Sequence, residues 1–318
     1  MSQIPTTTSA SAAAAPKGPK PTKPNPDPKP TNPLYNPTLP TDRTLFRKPL
    51  RPAPNATALC APYIPSPSTL PTLTSPPSTT TTTPTPPPNP NNVLLIIPTA
   101  NASKTALLTS HLAATRPPHI TSLTHLQLPA ESGVGEQPYD GAGPRGAFNR
   151  VVGAVRALQR QVERGACGGV LRGVGTVVVG AVENFVRRER TAAGGGGKGG
   201  KVVPVDYGVV VFCRLSLVPG EEKVGWEWRV GVSKGVMVPK EYWRAAEGFG
   251  FEDKERRHGK VTVGEVLAAN LGVDKADWFL PLMGVSRYDL LRDAMKKMDV
   301  PWPAAGNAPV AVGKASGA

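Results

Sequence analysis

"NVLLIIPTANASKTALLTSHL", residues 92–112, decides how the fold is read. Its first six residues form an unbroken apolar run of strand length, which predicts a strand buried on both faces. The following stretch, 103–114, has helical spacing and places Ala106, Leu107, His111 and Leu112 near one face. A short polar loop with one lysine lies between. A strand that feeds a helix through such a loop is the opening unit of a layered α/β sheet. Free backbone N–H groups at the mouth of a helix attract anions. Thr99 and Asn101 add short polar groups, and Lys104 adds a point charge with the reach for a terminal phosphate. The same loop is equally explained by Asn101 or Ser103 acting only as an N-cap. Both readings stay open on this stretch.

Downstream, "HITSLTHLQL" (119–128) alternates as a second strand, and a Gly- and Pro-rich loop follows. In "AFNRVVGAVRALQRQVER" (147–164), Phe148, Val152, Val155, Leu158 and Val162 recur every three or four residues, while Arg156, Arg160 and Arg164 run along another face. Gly168 and Gly169 stop this helix. "VGTVVVGAV" (174–182) reads as a buried strand. Residues 205–218 and 223–233 read as a hairpin closed by "PGEE". A short helix over 262–272 ends at Gly272. The last helix, 286–298, opens with the capping-box pattern Ser286-x-x-Asp289 and buries Leu290, Leu291, Ala294, Met295 and Met298. These elements predict an α/β (mixed α+β) domain with a central mixed sheet flanked by helices. "GGGGKGGK" (194–201) lacks the GK[ST] ending of a phosphate loop and reads as an insertion between strands.

Upstream, residues 1–90 are dominated by Pro, Thr, Ser, Ala and Asn, and most of the chain's 38 prolines lie there. Such a composition predicts a disordered tail with polyproline-II stretches. The folded domain is expected at 91–300 and a flexible C-terminus at 301–318. "PKGPKP" in the tail has the form that SH3- or WW-type grooves bind. The net charge of +14 suits phosphate-bearing partners. No nucleic-acid motif accompanies it, so nucleic acid is not an expected partner. Cys60, Cys167 and Cys213 are too few and too scattered for a disulfide framework or a zinc site. His111 and His258 have no partner at metal spacing. The N-terminus lacks a secretory pattern and no apolar run reaches membrane-span length, so a cytoplasmic protein without a membrane span is expected. Trp226, Trp228, Trp243 and Trp278 are expected to be packing aromatics. Arg150 is expected to order the 132–145 loop, and Asp206 to make an interior hydrogen bond.

"SGVGEQPYDGAGPRGAFNRVVGAV" (132–155) resembles the "SGV-x-x-QP … GA-x-NR" signature of the non-canonical purine NTP phosphatases, the inosine/xanthosine triphosphatase family. The matching residues are Ser132, Gly133, Val134, Gln137, Pro138, Gly146, Ala147, Asn149 and Arg150. The 98–104 turn is similar to that family's first phosphate-binding turn, and "VVVGAVENFV" (177–186) to its "GIE" strand end. The second half is more similar to a sister branch, the proline-rich coiled-coil 1 proteins, which also carry a Pro-rich N-terminus. That likeness rests on "VENF" (182–185), "VDYGVVV" (205–211), "VPKEYW" (238–243), "VTVGEVL" (261–267), "DKADW" (274–278) and "GVSRYDLL" (284–291). Together the resemblance spans 93–298.

The resemblance implies an inosine triphosphatase-like fold and hydrolysis of the purine nucleoside triphosphates ITP and XTP with Mg²⁺ or Mn²⁺. It places Glu183 as the metal ligand and, with Lys104, in the catalytic set. Thr99, Asn101, Lys104 and Arg287 would hold the phosphates. The sister branch implies a non-catalytic scaffold of the early secretory pathway, peripheral to Golgi or ER, that binds a protein kinase A regulatory subunit. A homodimer is left open. Three features depart from the phosphatase pattern: Gly143 stands where a carboxylate is expected, Asn184 and Phe185 follow Glu183 where that family has glycine, and "VTVG" (261–264) stands in place of its "GAIG" turn.

Overall fold

Ordered structure begins well ahead of residue 91. The computed structural model describes residues 32–71, 73, 86–165, 169–190, 200–217 and 226–305, and the unit that starts at Leu34 is the subject here. Single 3₁₀ turns form at Arg43–Phe46, Ala61–Tyr63 and Pro67–Thr69, with a short helix α1 (Ala56–Cys60) among them. The side chains of Asp42 and Asn55 cap the first turn and α1 by accepting from Thr44 N and Ala58 N. Leu39, Phe46 and Cys60 are buried. A disordered segment over 1–90 therefore does not hold for 34–71. Composition averaged over ninety residues hides a few large apolar anchors, and the rest of the chain supplies their seats. Residues 1–31 and 74–85 lie outside the described residues, as do Cys167, the "PGEE" turn, 306–318 and all but the last two residues of the "GGGGKGGK" stretch.

Strand β1 (Asn89–Ile97) sends Leu94 and Ile96 into one core and Val93, Leu95 and Ile97 into another, so its sequence shows no polar alternation. Helix α2 (Ala102–Thr115) returns the chain, and β2 (Ser122–Gln127) lies parallel to β1. Leu107, Leu108, His111 and Leu112 form the buried face of α2, and Ala106 is exposed. After β3 (Gln137–Pro138), helix α3 (Ala142–Glu163) starts five residues before the apolar repeat predicts. Its first turn tolerates Gly143 and Pro144 because the N–H groups there need no helical partner. Val151, not Val152, completes its buried stripe.

The two longest strands, β4 (Val174–Arg190) and β5 (Val202–Ser216), pair antiparallel along their length. β4 also runs parallel to β1, which makes the sheet mixed. With β6 (Glu227–Val232) its order is β2-β1-β4-β5-β6, and β7 (Val236–Met237) pairs with the far end of β5. β4 continues through "ENFVRRER", where charged residues mask strand character. The fold is thus mixed α/β with helices on both sheet faces, as the sequence predicts.

A second core lies beyond the sheet. Helices α4 (Lys240–Gly248), α5 (Val263–Leu271) and α6 (Phe279–Met283) gather Tyr242, Trp243, Val266, Leu267, Trp278 and Phe279, joined by Val186 from the end of β4. Strand β8 (His258–Gly259) pairs with β3 and closes this lobe. Helix α7 (Arg287–Met295) returns to the sheet and lays Leu291 and Met295 on it. Gly208 permits this approach, since a Cβ there would stand 2.4 Å from Leu291 Cδ2. The reciprocal capping box forms at Thr262 and Glu265, not at Ser286. Asp289 instead pairs with Arg292.

Candidate functional site

Between the two lobes runs a cleft of about 750 Å³, within the range of small-molecule sites. Thr99, Asn101, Lys104, Glu183 and Arg287 all line it, so the five residues singled out in the sequence converge although 188 positions separate the outermost.

The β1–α2 turn is less open to an anion than its sequence suggests. Asn101 Oδ1 accepts from Lys104 N at 2.9 Å, and Thr99 Oγ1 accepts from Asn101 N at 3.1 Å. Both side chains therefore satisfy the turn's own amides, and Asn101 is the N-cap of α2. Lys104 leans inward: its Nζ donates to Val182 O at 3.2 Å and lies 3.7 Å from Glu183 Oε1.

Glu183 is held by two cations. Arg150 Nε donates to its Oε2 at 2.7 Å, and Lys104 stands at the other oxygen. Arg150 also donates from Nη1 to Ala130 O at 2.6 Å, which ties the loop before Ser132 to the same carboxylate. Burial would push the Glu183 carboxyl up, but Lys104 and Arg150 outweigh it and hold the group below its ordinary range. Burial lowers the Lys104 ammonium, with Arg150 and Arg287 adding repulsion and Glu183 opposing.

Across the floor, Arg287 Nη2 donates to Asp206 Oδ2 at 2.6 Å. Arg287 Nη1 reaches Ala276 O at 3.2 Å, its guanidinium lies over the Phe279 ring, and its Nε is buried without a partner. Asp277 accepts from the backbone N of Arg287 and from Ser286 Oγ, which fixes the start of α7. Burial raises the Asp206 carboxyl, and the nearby Arg287 and Lys104 offset this only in part. These five groups are three cations and two acids, while the cleft as a whole adds Lys275 to the former and Glu131, Glu136, Glu252 and Glu265 to the latter.

The loop motif residues are structural. Asn149 Nδ2 donates to Ser132 O at 2.7 Å, and Gln137 Oε1 accepts from Val263 N at 3.1 Å, joining the loop to the start of α5. Arg150 and Asp206 belong to the site, though the sequence marks Arg150 only as a loop anchor and Asp206 only as an interior residue. A local signal for either is lacking, because their partners lie 33 and 81 residues away.

The donor set differs from what a divalent cation needs. Such ions are held by several carboxylates or carbonyls free to face them. Here both Glu183 oxygens face cations, and the described residues contain no group of three His, Cys, Asp or Glu able to hold a metal. Asp140, the acid nearest Gly143 in sequence, is committed to Arg188. The Gly143 and Phe185 departures from the phosphatase pattern are one packing unit: a Cβ on Gly143 would lie 2.3 Å from Phe185 Cγ, so the ring fills the place of the expected carboxylate.

Comparison with known proteins adds little to this geometry. No family model and no curated protein matches the chain. Among solved structures it is similar to protein VC0702 from Vibrio cholerae, at 16% identity and a TM-score of 0.40, covering 64% of this chain and 91% of that one. A likeness at that level carries no argument about the site. Among the described residues no helix is long and apolar enough to cross a membrane.

Proposed function

We propose that this chain binds the phosphates of a purine nucleoside triphosphate in the interlobe cleft as a ligand, on the scaffold of the inosine/xanthosine triphosphatase and proline-rich coiled-coil 1 families. One observation carries the reading: Lys104 and Arg150 converge on a single buried carboxylate, with Arg287 across the floor. An arriving triphosphate takes over donors that Glu183 and Asp206 now hold, and its own multiple charge offsets the loss of those pairs. Arg287 Nε supplies a donor with no present partner.

A second reading, hydrolysis of ITP or XTP with Mg²⁺ or Mn²⁺, has one observation in its favour. Glu183 and Asp206 lie on neighbouring strands and line the same cleft. In that reading a bound triphosphate draws Lys104 and Arg150 away and frees Glu183. The scaffold role, with a kinase regulatory subunit and SH3- or WW-type partners near Golgi or ER membranes, is compatible with ligand binding. Because the Pro-rich stretch 34–71 is engaged on the domain itself, such partners would use "PKGPKP", which lies outside the described residues.

Titration calorimetry of the full chain with ITP, XTP and GTP, with and without Mg²⁺, tests binding. Phosphate release from the same panel with Mn²⁺ tests hydrolysis. Heat without release is the expected result. A flat titration with all three nucleotides overturns the proposal, and release above background moves the assignment to the second reading.

A further inference from the structure

The geometry points to residues 34–71 as a clasp that ties the two lobes together and limits how far the cleft opens. The inference concerns a different part of the molecule from the cleft floor and holds whatever ligand the cleft takes.

The clasp is anchored in two separate cores. Its first half feeds the helical lobe: Leu39 and Phe46 are buried there, and the Phe46 ring packs against Tyr242 and Trp278 at centroid distances of 5.9 and 6.0 Å. Tyr242 Oη donates to Pro40 O at 2.8 Å, and Asn270 Nδ2 donates to Leu34 O at 2.9 Å. Its second half feeds the sheet lobe: Cys60 sits in the core under α3, with Leu59 and Tyr63 packed against it. The Tyr63 hydroxyl rests on the first turn of α3, where only a glycine leaves room, since a Cβ on Gly141 would meet it at 1.7 Å. Arg156 Nη2 donates to Thr69 O at 3.3 Å. Between the halves, Arg51 pairs with Gly235 through two backbone bonds of 2.8 and 3.0 Å.

Only four residues, 52–55, separate that bridge from the start of α1, and two of them, Pro52 and Pro54, are stiff. The cleft is lined from both lobes: Lys104 and Arg150 from one, Thr262 and Lys275 from the other. Any opening that separates the lobes must stretch the chain between Phe46 and Cys60, break the Arg51–Gly235 bridge or unseat Phe46 or Cys60. A cover that merely shielded two apolar patches would need no such short connection.

The test lengthens the tie and leaves every anchor in place. About twelve Gly/Ser residues are inserted between Ala53 and Pro54, a flexible spacer that still holds both halves at high local concentration. Nitroxide labels at Ala114→Cys on α2 and Arg244→Cys on α4, in a Cys167→Ser background, report the interlobe distance by double electron–electron resonance. Both labelled positions are exposed. The parent is expected to show one narrow distribution. The insertion variant should show a broader one with a longer component, at an unchanged circular dichroism spectrum. Phe46→Ala gives a second route, in which loss of the ring also lowers amide-exchange protection across α4, which carries Tyr242, by about 100-fold. If the insertion variant keeps the parent distribution, the segment is a passive cover and the inference falls, whether or not Phe46→Ala folds.

Discussion

Glu183→Gln separates the two accounts of the cleft. The substitution keeps size and hydrogen-bonding shape but removes the carboxylate that pairs with both Lys104 and Arg150. The side chains of Glu183, Lys104 and Arg150 are 9%, 14% and 22% exposed, so solvent screens the orphaned cations poorly. Breaking a buried ion pair from one side costs about 3–5 kcal/mol. With a urea dependence of about 2–3 kcal/mol per molar, the unfolding midpoint should fall by about 1–2.5 M. The same variant should bind inorganic triphosphate more tightly than the parent, by about tenfold or more, because the competing carboxylate is gone. If Glu183 instead served as an essential metal ligand, binding of a metal–triphosphate complex would weaken. A stability loss under about 1 kcal/mol, the size of a surface pair, would refute the buried cation–acid cluster.

Gly143→Ala should destabilise by about 1–3 kcal/mol through overlap with the buried Phe185 ring, and Phe185→Leu in the same chain should recover part of the melting temperature; an unaltered melting point for the single variant would contradict this packing. Burial pushes the Cys60 thiol up to about 11 and Cys213 well above its ordinary range, so iodoacetamide at pH 8 should modify neither until urea unfolds the chain. Rapid labelling of Cys60, mapped by mass spectrometry, would contradict the seating of α1. Because the Asp206 carboxyl is raised in the folded state, its contribution to stability is full below its unfolded value of 3.8 and declines as pH rises through the folded value. The stability difference between parent and Asp206→Asn should therefore shrink with rising pH in that window. Glu183 has the opposite sign, with a contribution present above 4.5 and lost on acidification through its lowered value. Parallel slopes for the two variants would count against these environments.

The parts of the fold that were legible have local signatures. The 92–112 unit, the stripe of α3 and the αL stop at Gly272 each show in a window of a dozen residues. β4 was read short because its last residues face partly into ion pairs, Arg188 with Asp140 and Glu247 among them, so polarity there does not mark a turn. Order in 34–71 is not legible in its composition, because Phe46 and Cys60 gain their burial from residues far along the chain. In the cleft, residue types were visible but their pairing was not. Nothing near Lys104 or Glu183 announces that Arg150 will hold the second Glu183 oxygen, and nothing near Arg287 announces Asp206.

The clasp also bears on how the chain is made. Phe46 leaves the ribosome first, yet its seat needs Tyr242 and Trp278. At translation speeds of 5–20 residues per second, about 230 further residues take about 10–50 s. Throughout that wait an apolar segment is presented to the cellular milieu. Its many prolines withhold amide donors and resist strand pairing with neighbouring nascent chains. Proline enrichment thus disfavours strand pairing by residues 34–71 while their seats are still missing, and supplies the stiff connector of the finished molecule.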